Sequence, residues 1–464
     1  MELERLVAAL GPVDVLGRAP VDVRDLAYDA RAVTPGAVFF CVPGARVDGH
    51  DFAPEAVERG AVALVVERPL DLPVPQLVVA SSREAMAVAA DEFFGRPTEE
   101  LAVAGVTGTS GKTTTSFLLF AILAAAGRRP GLLGTVEARV GGERRAVVRT
   151  TPEAIDLQRT FREMLDVGDR SCAMEASSHA SELHRLDRVR FAALVFTNLS
   201  QDHLDFHGDM ESYFQAKRRL FVDGSPPAAV NVGDEYGRRL AAELPDALTF
   251  SLAGDAELGP DALAGVDLKL RGSFNAENAL GALAAGRLLG IDDDAIVRGL
   301  ESVRGVPGRF ESVDEGQSFT VVVDYAHKPD ALEKVLRAAR ELAGAGRVIC
   351  VLGAGGDRDR GKRPVMGRIA SELADLAIVT SDNPRSEDPA AIIDEILAGV
   401  TREVEVEPDR AAAIERALSE AAEGDVVLIA GKGHEQGQEF ADRTIPFDDR
   451  EVARDVLRRL GAAT

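Results

Sequence analysis

The sequence is poor in cysteine, has no long apolar run and carries no excess of positive charge, and each shortage excludes a class of protein. Its 464 residues include three cysteines, Cys41, Cys172 and Cys350. They sit singly in "FFCV", "SCAME" and "VICVLG". Those are buried-strand contexts without ligand spacing, so each reads as core packing in a reduced, cytoplasmic setting. No apolar run reaches the ~20 residues that span a bilayer, and "MELERLVAAL" reads as an amphipathic helix rather than a signal peptide. With 53 Lys and Arg against 76 Asp and Glu, the net charge of −23 argues against non-specific nucleic-acid binding. Anionic small ligands stay open, because they answer to local sites.

What is present is alternation. Short apolar runs and helical patterns follow one another along the chain, which predicts α/β layers with largely parallel sheets. Three blocks are expected. Residues 1–97 end in a polar hinge, "GRPTEE". Residues 98–306 begin with the strand "LAVAGVTG" and end near "RGVPGRFE". Residues 307–464 open with the strand "FTVVVDYAH".

The most specific local signal is "VAGVTGTSGKTTTSFLLFAILAAAG". An apolar strand runs into Gly108, Thr109, Ser110, Gly111, Lys112, Thr113 and Thr114, and a helix follows, closed by Gly127. Backbone amides of such a loop cradle phosphates, the lysine reaches the β/γ-phosphates, and the Thr113 hydroxyl can ligate Mg²⁺. The fit is imperfect, since Val106 stands where the first glycine belongs and Gly105 comes one place early. A second glycine cluster, Gly353, Gly355 and Gly356 in "VICVLGAGGDRDRGKRP", lacks the third fingerprint glycine and the apolar helix of a dinucleotide fold.

Glu175 is expected at the end of an apolar strand and His203 just beyond the end of the next, so both can face the phosphate loop and serve a metal. Read alone, His203 is a satisfied polar residue and Lys217 a helix-surface charge. In "SDNPRSEDP", Asp388 suits an N-cap and Pro389 the first helical turn. The loop bearing Arg385 then lies at the carboxyl end of a strand, where open α/β sheets bind ligands. By itself the stretch reads as a turn with a solvated arginine.

Taken together, "GTSGKTT", "MEASSHA", "TNLSQDHLDFHG", "AKRRLF", "FNAENALGA", "DYAHKPDAL", "GGDRDRGKRP", "SDNPRSEDP" and "GKGHEQGQ" resemble the Mur ligases of peptidoglycan synthesis. "DARAVTPGAVFFCVPGARVDGHDF" resembles the uridine-binding first domain of that family. The resemblance implies three α/β domains: a uridine-binding one, a central ATP-binding phosphate-loop domain and a Rossmann-like domain for the amino acid. It implies ATP and Mg²⁺ as cofactors, with Thr113, Glu175, His203 and a carbamylated Lys217, derived from CO₂, around the metal. Asn278 would contact the adenine, Asp324 the ribose, and Arg309 would meet the nucleotide on domain closure. Thr150, Thr151, Ser177 and Arg185 match positions that hold UDP-N-acetylmuramoyl-L-alanyl-D-glutamate. Arg358, Asp382, Asn383, Pro384, Arg385, Gly431 and Glu435 match positions around the incoming amino acid. No nucleic-acid or membrane partner is implied, and a monomer is expected.

"DNPR" is the pattern of diaminopimelate-adding members, and the fork of Arg385 suits the carboxylate that diaminopimelate has and lysine lacks. Glu435 would pair with the distal ammonium. Two positions depart from the resemblance: Ala30 stands where the family often has a serine touching uracil, and Leu183 where some relatives place a substrate-binding glutamine. Lysine addition, a folylpolyglutamate-type reaction and a non-catalytic phosphate-loop switch are the competing readings.

Overall fold

The computed structural model describes residues 1–17, 20–44 and 47–462. Ala45 and Arg46, inside the uridine-type motif, therefore lie outside the described residues. Three large sheets follow one another along the chain. Their central strands, such as Ala37–Phe40, Ser171–Glu175 and Val348–Leu352, are short and buried on both faces, which is why they read as continuous apolar runs rather than alternating ones.

The first sheet has five strands, in the order Asp14–Leu16, Gln76–Val78, Ala63–Val66, Ala37–Phe40 and Asp25–Ala27. All neighbours are parallel except the edge strand Asp14–Leu16. The expected polar hinge after it is a packed turn instead. Pro97–Glu99 forms a 3₁₀ helix, Thr98 is buried, and its hydroxyl accepts the Arg190 amide at 3.2 Å.

In the eight-stranded second sheet, Ala102–Thr107 lies between Ser171–Glu175 and Phe191–Phe196. Glu175 pairs in register with Val106, and Phe196 with Thr107, so three strand ends come level beneath the phosphate loop. Val106 is fully buried, and a Cβ at Gly105 would press into the Phe191 ring at 2.6 Å. Both departures from the phosphate-loop pattern are thus core positions. The following helix, Lys112–Ala125, buries Leu118, Leu119, Ile122 and Leu123 completely, each contributing roughly 1.5–3 kcal/mol.

The third sheet has six strands, in the order Glu311–Val313, Thr320–Asp324, Val426–Ala430, Val348–Leu352, Leu376–Val379 and Glu405–Val406. "FTVVVDYAH" does not open this unit, because the antiparallel edge strand Glu311–Val313 precedes it. A helix, Lys362–Leu373, does follow the second glycine cluster and starts inside the charged run, with Met366 and Ile369 as its buried face. The helix looked absent because its first turn is all polar or proline.

Candidate functional site

The loops at the carboxyl ends of the second and third sheets face each other across two adjoining cavities of about 770 and 700 Å³. At the floor of the larger one, Gly111 has φ +88° and caps the helix from Lys112; a Cβ there would collide with the Asn278 amide oxygen. Glycine therefore lets the loop turn and lets Asn278 come in over it. Asn198, just past its strand, accepts the Ser110 amide at 2.9 Å and donates to its carbonyl at 3.1 Å, which fixes the loop from the side.

Lys112 Nζ donates to the carbonyls of Gly108 and Thr109 at 2.9 and 3.0 Å. Burial pulls its pKa down to about 8. Lys217 is not a surface charge: only 1% exposed, it sends Nζ to the same Gly108 carbonyl at 2.9 Å and lies over the Tyr213 ring at 4.7 Å. Burial, with Lys112 nearby, holds its pKa well below the usual ammonium range. Two lysine nitrogens meet on one carbonyl, and no carboxylate pairs with either among the described residues.

Glu175 is buried, and its two oxygens accept the amide and hydroxyl of Thr135 at 2.7 and 3.1 Å. Its strand and that leading to His203 flank the phosphate-loop strand on opposite sides rather than adjoining each other. His203, in the left-handed region at φ +54°, keeps a 41% exposed side chain and places Nε2 2.9 Å from Asp202. Thr113, Glu175, His203 and Lys217 line the same cavity. Among the described residues, no group of three or more His, Cys, Asp or Glu side chains could hold a metal ion by itself.

The expected muramoyl-side residues are joined by short bonds. The Thr151 hydroxyl donates to the Glu175 carbonyl at 2.8 Å and accepts the Ser177 amide at 3.1 Å. Thr150 faces Thr135 at 3.1 Å, and Arg185 donates to the Thr151 carbonyl at 3.1 Å and pairs with Glu153 at 2.8 Å. Ala30 does not join them. Its methyl is buried in the first unit's core, where it opens a 3₁₀ turn capped by Asp29. Leu183 only ends the short helix Ser178–Glu182.

From the third sheet, Arg309 reaches across to the phosphate loop and donates to the Thr113 hydroxyl at 3.1 Å, with its guanidinium over the Tyr325 ring. Asp324 accepts the Phe310 amide at 2.7 Å, and burial pushes its carboxyl up to about 6. Lys328 pairs with Asp202 across the same seam, and Ser200 donates to Asp330 at 3.1 Å. Asp202 and Lys328 were not singled out from the sequence, although both sit inside quoted motifs.

The second cavity gathers Arg358, Asp382, Asn383, Arg385, Gly431 and Glu435. Arg385 is no solvated turn residue. Its backbone is left-handed at φ +53°, its Nε donates to Glu439 at 2.8 Å and its Nη1 to the Gly356 carbonyl at 2.9 Å. Pro384 does not line the cavity; a Cβ at Gly356 would strike its carbonyl oxygen. The second glycine cluster therefore serves close loop-to-loop approach, and a Cβ at Gly353 would likewise meet the Thr380 carbonyl at 2.7 Å. Glu435 accepts from Asn383 at 2.7 Å and from the fully buried Lys432 at 3.1 Å. Lys432 also went unread, as one charge in a glycine-rich run.

The chain belongs to the Mur ligase family. Three family models match in order: "Mur ligase family, catalytic domain" at residues 22–100, "Mur ligase middle domain" at 106–286, and "Mur ligase, glutamate ligase domain" at 308–433. The chain is 48% identical over 470 residues to a UDP-N-acetylmuramoyl-L-alanyl-D-glutamate–2,6-diaminopimelate ligase of Solibacter usitatus, covering 96% of this chain and 95% of the relative. The enzyme of the same name from Geobacillus kaustophilus is 46% identical, with 95% and 96% covered. A solved structure of a ligase with that name superposes with a TM-score of 0.69 at 31% identity, covering 97% of this chain and 98% of the other.

Proposed function

We propose that the chain is an ATP-dependent amide ligase that adds meso-diaminopimelate to UDP-N-acetylmuramoyl-L-alanyl-D-glutamate in peptidoglycan biosynthesis. The observation that carries this reading is Arg385, held by Glu439 and Gly356 on the wall of the second cavity, opposite a phosphate loop that closes the first. The D-glutamyl carboxylate attacks the γ-phosphate, giving an acyl phosphate and ADP. The diaminopimelate amine then displaces phosphate and loses its proton. Lys112 would neutralise charge on the moving phosphoryl group, and Arg309 would add to it. Arg185, Thr150, Thr151 and Ser177 would hold the muramoyl peptide. Asn278 and Asp324 would hold the nucleoside, and Arg358, Asp382, Asn383, Arg385, Gly431 and Glu435 the amino acid. The seam between the second and third sheets would exclude water, which otherwise consumes the acyl phosphate.

Thr113, Glu175 and His203 fit a Mg²⁺ site, since a hydroxyl and a carboxylate suit a hard cation and all three share one cavity. Bound there, the metal would supply charge neutralisation on the phosphates. Lys217 fits the carbamate role: burial favours the neutral amine, which attacks CO₂ and releases a proton, leaving an anion beside Lys112, whose Nζ shares the Gly108 carbonyl with that of Lys217. We place the domain joints near residues 97/98 and 306/307 and expect a cytoplasmic monomer. Among the described residues, no helix is long and apolar enough to cross a membrane.

The test is a set of kcat/KM values for meso-diaminopimelate and L-lysine on wild type, Arg385→Ala and Arg385→Lys. A site built to bind a substrate group rejects the analogue lacking it by up to roughly 10⁴–10⁵-fold. Arg385→Ala should lose most activity with diaminopimelate and change lysine use far less, while Arg385→Lys rescues poorly. A wild type that prefers lysine overturns the reading.

A further inference from the structure

The two loops that carry Arg358 and Arg385 are tied together by a buried guanidinium with no role in the scheme above. Arg363 lies in the first turn of the helix Lys362–Leu373, and its side chain has no exposed surface. Its Nη1 donates to Glu387 Oε2 at 2.9 Å and to Glu395 Oε2 at 2.8 Å. Its Nη2 donates to Glu387 Oε1 at 2.8 Å and to the Gly355 carbonyl at 3.1 Å. Glu387 also accepts the Asp357 amide at 2.6 Å, and Asp357 accepts the Ser386 hydroxyl at 2.6 Å. The residue just before Arg358 is thereby bonded to the two residues just after Arg385.

A buried ion pair of this kind adds little stability over an apolar replacement, but it fixes geometry, because a planar fork bonded at four points admits one orientation. The geometry here is the separation of two arginines that face one cavity. We propose that Arg363 is a positioning residue for amino-acid recognition: through Glu387 and Gly355 it sets the spacing of Arg358 and Arg385 around the incoming carboxylate. This rests on the reading of the second cavity as the amino-acid site.

The test is steady-state kinetics on the full chain, with ATP, the UDP-sugar peptide and the amino acid varied in turn, for wild type, Arg363→Lys, Arg363→Met and Glu387→Gln. The KM for the amino acid should rise about tenfold to a hundredfold, the scale of a misplacement of about 1 Å. The KM values for ATP and the UDP-sugar peptide should stay within about twofold of wild type, because their expected residues lie outside this network. Arg363→Lys should fall between wild type and Arg363→Met, as an ammonium keeps the charge without the fork. Should Arg363→Met fail to fold, Glu387→Gln, at a partly exposed position, carries the test. An unchanged amino-acid KM in Glu387→Gln, or an equal rise in all three KM values, overturns the proposal. Wild type is run on both diaminopimelate and lysine. If lysine is the substrate the diaminopimelate reading fails, and the clamp is judged on the KM for lysine.

Discussion

The phosphate loop and the loops around the second cavity are built by opposite means. In the first, backbone geometry does the placing: Gly111 turns through positive φ, Asn198 pins Ser110, and Lys112 rests on two carbonyls. Among the described residues, no carboxylate forms an ion pair with Lys112. In the second, side-chain ion pairs join the backbone in the placing: Arg385 on Glu439, Arg363 on Glu387, Lys432 on Glu435, and the fully buried Arg410 on Asp449. A site placed by backbone leaves its functional cation free for a ligand. A site placed by ion pairs has its cations already oriented and half satisfied.

That contrast can be broken most strongly at Lys112. Lys112→Ala should cost about 10²–10³-fold or more in kcat, the scale of deleting a group aimed at developing charge. Affinity for the UDP-sugar peptide should survive, and calorimetry showing it lost as well would mean misfolding. Lys217→Ala should come close behind, with no rescue by bicarbonate and partial rescue by a short carboxylic acid. Near-normal turnover of that variant in CO₂-depleted buffer would remove the carbamate from the scheme. Gly356→Ala tests the other site through its backbone. The Cβ would strike the Pro384 carbonyl, so stability should drop by about 1–3 kcal/mol and the amino-acid KM rise several-fold, with ATP use spared. Thermal unfolding and kinetics on one preparation check both. The smallest effect concerns pH. Asp324, pushed up to about 6 by burial, accepts ribose hydroxyls more strongly as the carboxylate than as the acid. The kcat/KM for ATP should therefore rise with pH through about 6 and stand roughly twofold below its plateau at that pH. Asp324→Asn should remove this limb at a lower level.

The same contrast explains what was legible in the sequence. Strands such as Val348–Leu352 and Val426–Ala430 are apolar end to end, and the phosphate loop declares itself by glycine spacing over a few residues. The short strand Glu311–Val313 escaped because an antiparallel edge of three residues carries almost no pattern. The resemblance picked out Lys217, but its burial was not legible locally, because its helix reads as charged and exposed while its partner Gly108 lies 109 positions earlier. Glu439 follows Arg385 by 54 positions, and no local rule pairs them. Arg363 sits in a run of charges that looks solvated, and only the fold closes over it.

The left-handed backbone at Arg385 sets a limit on anyone redesigning amino-acid choice at this position. With φ at +53°, the main chain screens candidates before their chemistry is tried. Asn, Asp, His and Gly enter this region most readily, whereas Val, Ile or Thr would be strained outliers there. A substitution meant to favour an uncharged side-chain terminus would thus begin with Asn or Gly. A β-branched choice would start with about 1–2 kcal/mol of strain, whatever contacts it made.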